Sequence, residues 1–310
     1  MERVLSIVVD ENMAVSVSQV GQLLKQQCGL TQKQISRLKF QENGILKNGT
    51  KCRVTEPIHI GDVIRICIEE THTNSAHIRG RKGNLQILYE DSDLLIVNKP
   101  AGVVTHPQGG HFEDTLVNWV QEYFLQKGEV NCIRPVGRLD KETSGIVVFA
   151  KNRIAAARLQ EQRDQGLFQK WYTAYVHGAM DVTGDEYVIC KNIGRDKEHP
   201  MKMMIDLDGK FSRTHYRAIW SSDDWSIVEL WLDTGRTHQI RVHMASLGHS
   251  LLGDQLYEES GLEEHRMYGR MQRAALHAGR ICLKHPITGQ KLEFEAPMPE
   301  DMESIRKNVN

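Results

Sequence analysis

The chain has 310 residues with 39 basic and 40 acidic side chains, so its net charge of -1 gives no global attraction to nucleic acid or to an anionic membrane. Its six cysteines are scattered, with no CxxC pair and no Cys/His spacing that suits zinc, which argues against a disulfide scaffold or a zinc module and fits free thiols in a reducing compartment. The opening MERVLSIVVDENMAV lacks the apolar core of a signal peptide and no apolar run could cross a bilayer, so a cytoplasmic protein without a membrane partner is expected.

In VSVSQVGQLLKQQCG, Val20, Leu23, Leu24 and Cys28 recur at helical spacing, with Ser18 as the expected N-cap. Thr31 followed by Gln34 is a capping-box pattern for a second short helix, with Ile35 and Leu38 on one face and Gly44 as its end. Asn48-Gly49 between two strand-like runs predicts a tight hairpin, and Gly61-Asp62 a turn before the alternating run VIRICI. Residues of roughly 14–70 therefore read as two helices followed by a small sheet.

Charge is unevenly spread over this segment. From Lys25 to Arg53 there are seven basic residues and one acid, Glu42. Such a stretch suits phosphate contact, because each neutralised phosphate releases counterions; Lys33, Arg37, Lys39, Lys47 and Lys51 are the candidate contacts. Taken alone, a charge run is more simply a solvated face.

Residues 71–83 (THTNSAHIRGRKG) lack periodicity and read as a basic linker. From residue 84 to the end, strand-like runs (LQILY, LLIVNK, IVVFAK, WYTAYVHG, YRAIW, SIVELWLD, KLEFEAP) are interrupted by few helices. One helix is expected in NRIAAARLQEQRDQG, opened by Asn152 and stopped by Gly166. Another lies in THQIRVHMASLG, with Ile240, His243, Met244 and Leu247 on one face before Gly248. Several strands follow one another directly, which predicts an α+β class with a mixed, largely antiparallel central sheet and flanking helices. The domain reading is 1–70, a linker at 71–83, and 84–310.

The segment RPVGRLDKETSGIVVFAK (134–151) places Arg138 and Asp140 on an irregular loop before a buried strand, a common way of presenting reactive groups. By itself an Asp near an Arg is most often a surface ion pair.

Five motifs in order change that reading: YEDSDLLIVNKPAGVVTHP, GRLDKETSG, KWYTAYVHG, TGRTHQIRVHMASLGHSLLGDQLY and RAALHAGRICLKHPITG. Together they span nearly all of residues 86–300 and resemble the RluA-type family of pseudouridine synthases. One departure is Gly137, where that family commonly has His. The N-terminal segment resembles, on its helix pair, NG hairpin and GDVIRI, the small S-four-like RNA-binding domain that many such enzymes carry.

The resemblance implies an isomerase that breaks the bond from uracil nitrogen to ribose, rotates the base and rejoins it through carbon. No cofactor and no metal are expected, and the chain has no P-loop, no GxGxxG after a strand and no HExxH. By resemblance Asp140 is the catalytic aspartate, Arg236 its orienting guanidinium and Tyr172 the active-site tyrosine that stacks on the base. Ile240 would line the base pocket, and Arg138 would fill the space left by an extruded uridine or hold a flanking phosphate. Without the motif, Tyr172 and Ile240 would be ordinary core residues. Lys99, Pro100 and Gly102 read as turn-forming. Attack by Asp140 on the anomeric carbon and assistance to departing uracil are both compatible with the sequence.

The implied partner is RNA, with large-subunit ribosomal RNA favoured and transfer RNA the alternative. No obligate protein partner is inferred, and without a heptad signal a monomer is expected. The rival from another class is a non-catalytic RNA-binding or ribosome-assembly factor that keeps the fold; the survival of Asp140, Tyr172 and Arg236 argues against it. A uracil-releasing hydrolase would need paired carboxylates, and no second acid stands in a matching motif.

Overall fold

The computed structural model describes residues 4–67, 75, 78–108, 110–129, 132–258 and 269–307. The N-terminal region comprises β1 (Val4–Val8), α1 (Glu11–Ser16), α2 (Val20–Cys28), α3 (Gln32–Leu38), β2 (Ile45–Lys47), β3 (Thr50–Lys51) and β4 (Val63–Cys67). Its strands form an antiparallel sheet in the order β1-β4-β2-β3. Alternation along β1 and β4 turns Leu5, Ile7, Ile64 and Ile66 inward, onto Leu23, Leu24 and Ile35 of the helices. The Thr31 capping box forms, with Gln34 N–H on the Thr31 hydroxyl and Thr31 N–H on the Gln34 side chain. Asn48 and Gly49 both take positive φ (51° and 83°), the combination a two-residue hairpin turn of matching twist requires.

Three local expectations shift. Gln19, not Ser18, occupies the N-cap of α2, because Ser18 uses its amide and hydroxyl on the Gln22 side chain instead. Helix α3 ends at Leu38, well before Gly44. The strand β1 and helix α1 precede the region read as ordered from sequence; β1 gains its stability by pairing with β4, nearly sixty residues away.

The remaining elements are β5 (Gln86–Glu90), β6 (Leu94–Lys99), α4 (Leu116–Lys127), β7 (Arg134–Val136), β8 (Ser144–Ala150), α5 (Arg153–Asp164), β9 (Gln169–His177) and β10 (Tyr187–Cys190). They continue with β11 (Ile193–Arg195), β12 (Met203–Ile205), β13 (Arg213–Ser221), β14 (Trp225–Leu232), α6 (Gln239–Ala245), β15 (Leu276–Lys284), β16 (Lys291–Glu295) and α7 (Glu300–Lys307). A ten-stranded sheet runs β10-β13-β14-β9-β15-β8-β6-β5, with β16 added to β15 and β7 to β8. Among the described residues only β15 against β8 is parallel. The expected α+β class with a mixed, largely antiparallel sheet is what the chain adopts.

Every residue of β8 is buried because the sheet is covered on both faces there. Val147 and Phe149 meet Leu116, Val120 and Phe124 of α4, while Ile146 and Val148 meet Ala155 and Leu159 of α5. Helix α5 opens as expected, Asn152 accepting from Ala155 N–H. It also holds the N-terminal region: Arg158 donates to the Gln27 carbonyl at the end of α2 (2.9 and 3.1 Å) and to Pro286 O (2.8 Å). A guanidinium on the last carbonyls of a helix satisfies acceptors the helix cannot. Of the stretch read as a linker, residues 71–74 and 76–77 lie outside the described residues. Within the rest, Ile78 packs on the main core and Arg79 pairs with Glu113.

Candidate active site

Asp140 follows the strand β7 on a loop that four buried side chains hold from behind. Thr105 both donates to Leu139 O (2.9 Å) and accepts from Leu139 N–H (3.2 Å), replacing a missing strand partner. Lys99, fully buried, donates to Pro100 O, Val103 O and Lys141 O at 2.7–3.1 Å. These three carbonyls match the three donors of an ammonium group. Burial pushes the Lys99 amine down to about 7, while Asp140 and Glu142 pull the other way. Arg273 donates to Glu142 O (3.1 Å) and is itself held bidentately by Asp301 (2.7 and 2.8 Å). Ser144, at the loop's end, meets His277 Nδ1 at 2.9 Å. A loop so braced keeps its backbone, and hence the Asp140 side chain, in one place.

Glycine is needed twice here. Gly137 has φ 78°, so the His expected from the family pattern would be strained at this position. A side chain on Gly145 would lie 2.3 Å from Ala278 O, where β8 and β15 approach.

Asp140 lines a cleft of about 1260 Å³ together with Arg138, Tyr172, Arg236, His238, Ile240 and Arg241. Tyr172 on β9 is 9% exposed, and burial first, then the Asp140 charge, raise its hydroxyl well above the ordinary range. Ile240 is buried, belonging at once to the main core and to the cleft wall. Arg138 is exposed at the rim and reaches Thr237 and Gln108.

The guanidinium read as the partner of Asp140 is placed differently. Arg236 is exposed and its Nε donates to Phe211 O (3.1 Å). Arg241, the third residue of α6, feels the Asp140 charge. It is buried, bonded to Asp254 at 2.5–2.6 Å, and kept above its ordinary range by Asp254 and then Asp140 against the cost of burial. Spacing alone could not separate the two: both lie in GRTHQIR, and only the helix start at Gln239 turns Arg241 inward.

The basic residues of the N-terminal region do not form one class. Lys33, Arg37, Lys39 and Lys51 are exposed, and Lys39 lies over the Phe40 ring (4.8 Å). Lys47 is taken by Asp62 (2.8 Å) and Pro57 O (2.7 Å) and serves the hairpin instead.

One group of metal-capable atoms exists among the described residues: Asp91, Asp93 and His285. His285 Nδ1 accepts from Ile287 and Thr288 N–H, which leaves its proton on Nε2, donated to Asp91 (2.8 Å). With the lone pair so used, the cluster is a knot between the β5–β6 and β15–β16 turns. His243 of α6 bonds Thr214 and Lys191 O.

A family model described as RNA pseudouridylate synthase matches residues 93–246. The uncharacterised RNA pseudouridine synthase YhcT of Bacillus subtilis is 40% identical over 247 residues, covering 79% of this chain and 78% of that protein. The chain belongs to the RNA pseudouridine synthase family. Ribosomal large subunit pseudouridine synthase D of Zymomonas mobilis is 41% identical, with 75% of each chain covered. The structure of human RNA pseudouridylate synthase domain containing 1 superposes with a TM-score of 0.55 at 29% identity, covering 70% of this chain and 85% of that one. This pseudouridine synthase is thus an isomerase, and Asp140 with most of the residues lining its cleft lies within the matched region. Among its described residues no helix is long and apolar enough to cross a membrane.

Proposed function

We propose that the chain converts specific uridines of large-subunit ribosomal RNA to pseudouridine, with Asp140 as the nucleophile. The observation that carries this reading is the single cleft in which a braced aspartate meets a buried tyrosine face and an apolar wall, Tyr172 and Ile240. In the proposed path the Asp140 carboxylate attacks the anomeric carbon and the bond to N1 breaks, releasing uracil as its anion. The base turns against Tyr172, C5 attacks the same carbon and displaces the carboxylate, and the C5 proton moves to N1.

Arg241 orients Asp140 in this reading, and Arg236 shapes the rim. Arg138 takes the place of the nucleotide drawn out of its stack, an extrusion that costs a few kcal/mol. The exposed Lys33, Arg37, Lys39 and Lys51 of the N-terminal RNA-binding module hold phosphates at a distance from the chemistry. The relatives named for the large ribosomal subunit support the choice of RNA. The test is a map of pseudouridines in total RNA from cells with and without this protein. Large-subunit positions should vanish and return with the wild-type gene but not with Asp140→Asn. Loss confined to transfer RNA would overturn the substrate, and restoration by Asp140→Asn the nucleophile.

A further inference from the structure

We infer that His238 is a further substrate-contacting residue, a neutral imidazole whose Nε2–H donates to a carbonyl oxygen of the extruded uracil and stabilises it as a leaving group. This rests on the proposed reaction and adds to it a group that stabilises the departing base.

The first observation is backbone geometry. Among the described residues only Asn48 and His238 are non-glycine with positive φ. Asn48 sits in a turn that demands it. His238, at φ 56° and ψ 19°, stands at the N-cap of α6, where the backbone is ordinarily extended, and its side chain makes no cap bond. A left-handed non-glycine residue is strained and persists only where its surroundings impose it. They do so through Gln239, 2% exposed, whose amide is saturated. It accepts from the Thr234 hydroxyl and Arg236 N–H, and donates to Arg213 O and Thr214 Oγ1 at 2.8–3.0 Å. The turn is therefore built to aim His238.

The second observation bears on the tautomer. Tyr257 Oη accepts from Met203 N–H (2.8 Å) and lies 2.8 Å from His238 Nδ1. With one lone pair filled, the phenol proton finds its acceptor in Nδ1. The Arg241 guanidinium over the Tyr257 ring (4.9 Å) strengthens the phenol as a donor. With the phenol as donor, Nδ1 accepts and the ring proton lies on Nε2. Burial lowers the basicity of the imidazole and favours this neutral form, with Asp140 opposing.

The third observation is the state of three other donors in the cleft. Arg138 reaches Thr237 and Gln108, Arg241 is bidentate on Asp254, and Lys170 donates to Ile146 O. His238 Nε2 bonds no other described residue, and the imidazole lines the cleft in the field of Asp140. A uracil that leaves the stack must bury its carbonyl oxygens, and a fixed neutral donor meets that need without forming an ion pair with the Asp140 carboxylate. Charge gathers on those oxygens as the bond to ribose breaks, so the interaction strengthens toward the transition state.

The test uses the full chain on in-vitro-transcribed large-subunit ribosomal RNA, with the mapped target carrying uridine, 2-thiouridine or 4-thiouridine. His238→Ala should lower kcat by about 100-fold with little change in KM, as for loss of one donor to developing charge. His238→Gln, which keeps an N–H donor, should recover part of the rate. Tyr257→Phe, which frees the tautomer, should lower kcat by about 10-fold. Sulfur is a poor acceptor, so one thio substrate should be slow with wild type, and His238→Ala should be indifferent to it. A thio effect of equal size in wild type and His238→Ala would overturn the inference, as would a normal kcat for His238→Ala. If wild type itself forms no pseudouridine on any RNA, the reaction reading beneath it fails instead.

Discussion

The Asp140 loop and the basic face of the N-terminal region both carry charge, and they are held by opposite means. The loop is fastened by buried polar groups, Lys99, Thr105, Arg273 and the Ser144–His277 pair, each with its partners in place. The face around α3 consists of long side chains in solvent, with Lys39 resting on Phe40. A reacting group must be placed to a fraction of an ångström; a side chain that meets a phosphate need only lie within the range of a screened charge. The difference teaches where substitutions should be severe and where graded.

The sharpest break should come from Asp140→Asn, which removes the reacting oxygen while the bracing stays: turnover falls at least about 1,000-fold with an unchanged melting temperature. Single-turnover kinetics and calorimetry on the same preparation check both halves.

The bracing itself should titrate. His277 is 1% exposed, and burial lowers its pKa from 6.5 to about 4, with the Ala296 carbonyl opposing. Its neutral form accepts from Ser144 and donates to Ala296 O. Because the folded value is the lower one, this stability is complete above pH 6.5 and is lost as pH falls toward 4, by at most about 3 kcal/mol. Denaturant titrations at the two pH values should show a smaller drop for His277→Asn than for wild type.

A finer cut compares two arginines of one motif. Arg241→Lys should slow turnover by tens of fold, since a bidentate pair next to Asp140 is lost. Arg236→Lys, at the rim, should cost less than about 5-fold. Equal effects would return Arg236 to the role its motif suggested.

The smallest effects belong to the basic face. Lys33→Ala, Arg37→Ala and Lys39→Ala should each weaken RNA binding by a few-fold and lower the salt dependence by roughly one unit for each phosphate no longer neutralised. Lys47→Ala should spare binding and reduce thermal stability, because its partners Asp62 and Pro57 O tie the hairpin to the segment before β4. Filter binding across a salt series, beside melting curves, separates the two classes.

Local chemistry was legible in the sequence wherever neighbours in the chain decide it. The Thr31–Gln34 box, the Asn48-Gly49 turn, the Asn152 cap and the alternating strands of the large sheet follow from propensity and periodicity. The ordered motifs marked out the Asp140 loop, and the cleft gathers Tyr172 and Ile240 beside it as they suggested. The pairing of β1 with β4 depends on a partner nearly sixty residues away. The burial of Lys99 against three carbonyls depends on two loops meeting, which no spacing rule reports.

Which arginine of the motif turns inward onto Asp254, and the left-handed backbone that carries His238, were decided by the tertiary structure alone. Both are set by the left-handed turn into α6 and by Gln239, Asp254 and Tyr257 packing around it. Sequence determines which groups a chain can offer and the period at which it offers them. The direction in which a guanidinium or an imidazole finally faces is fixed by long-range packing that buries its competitors.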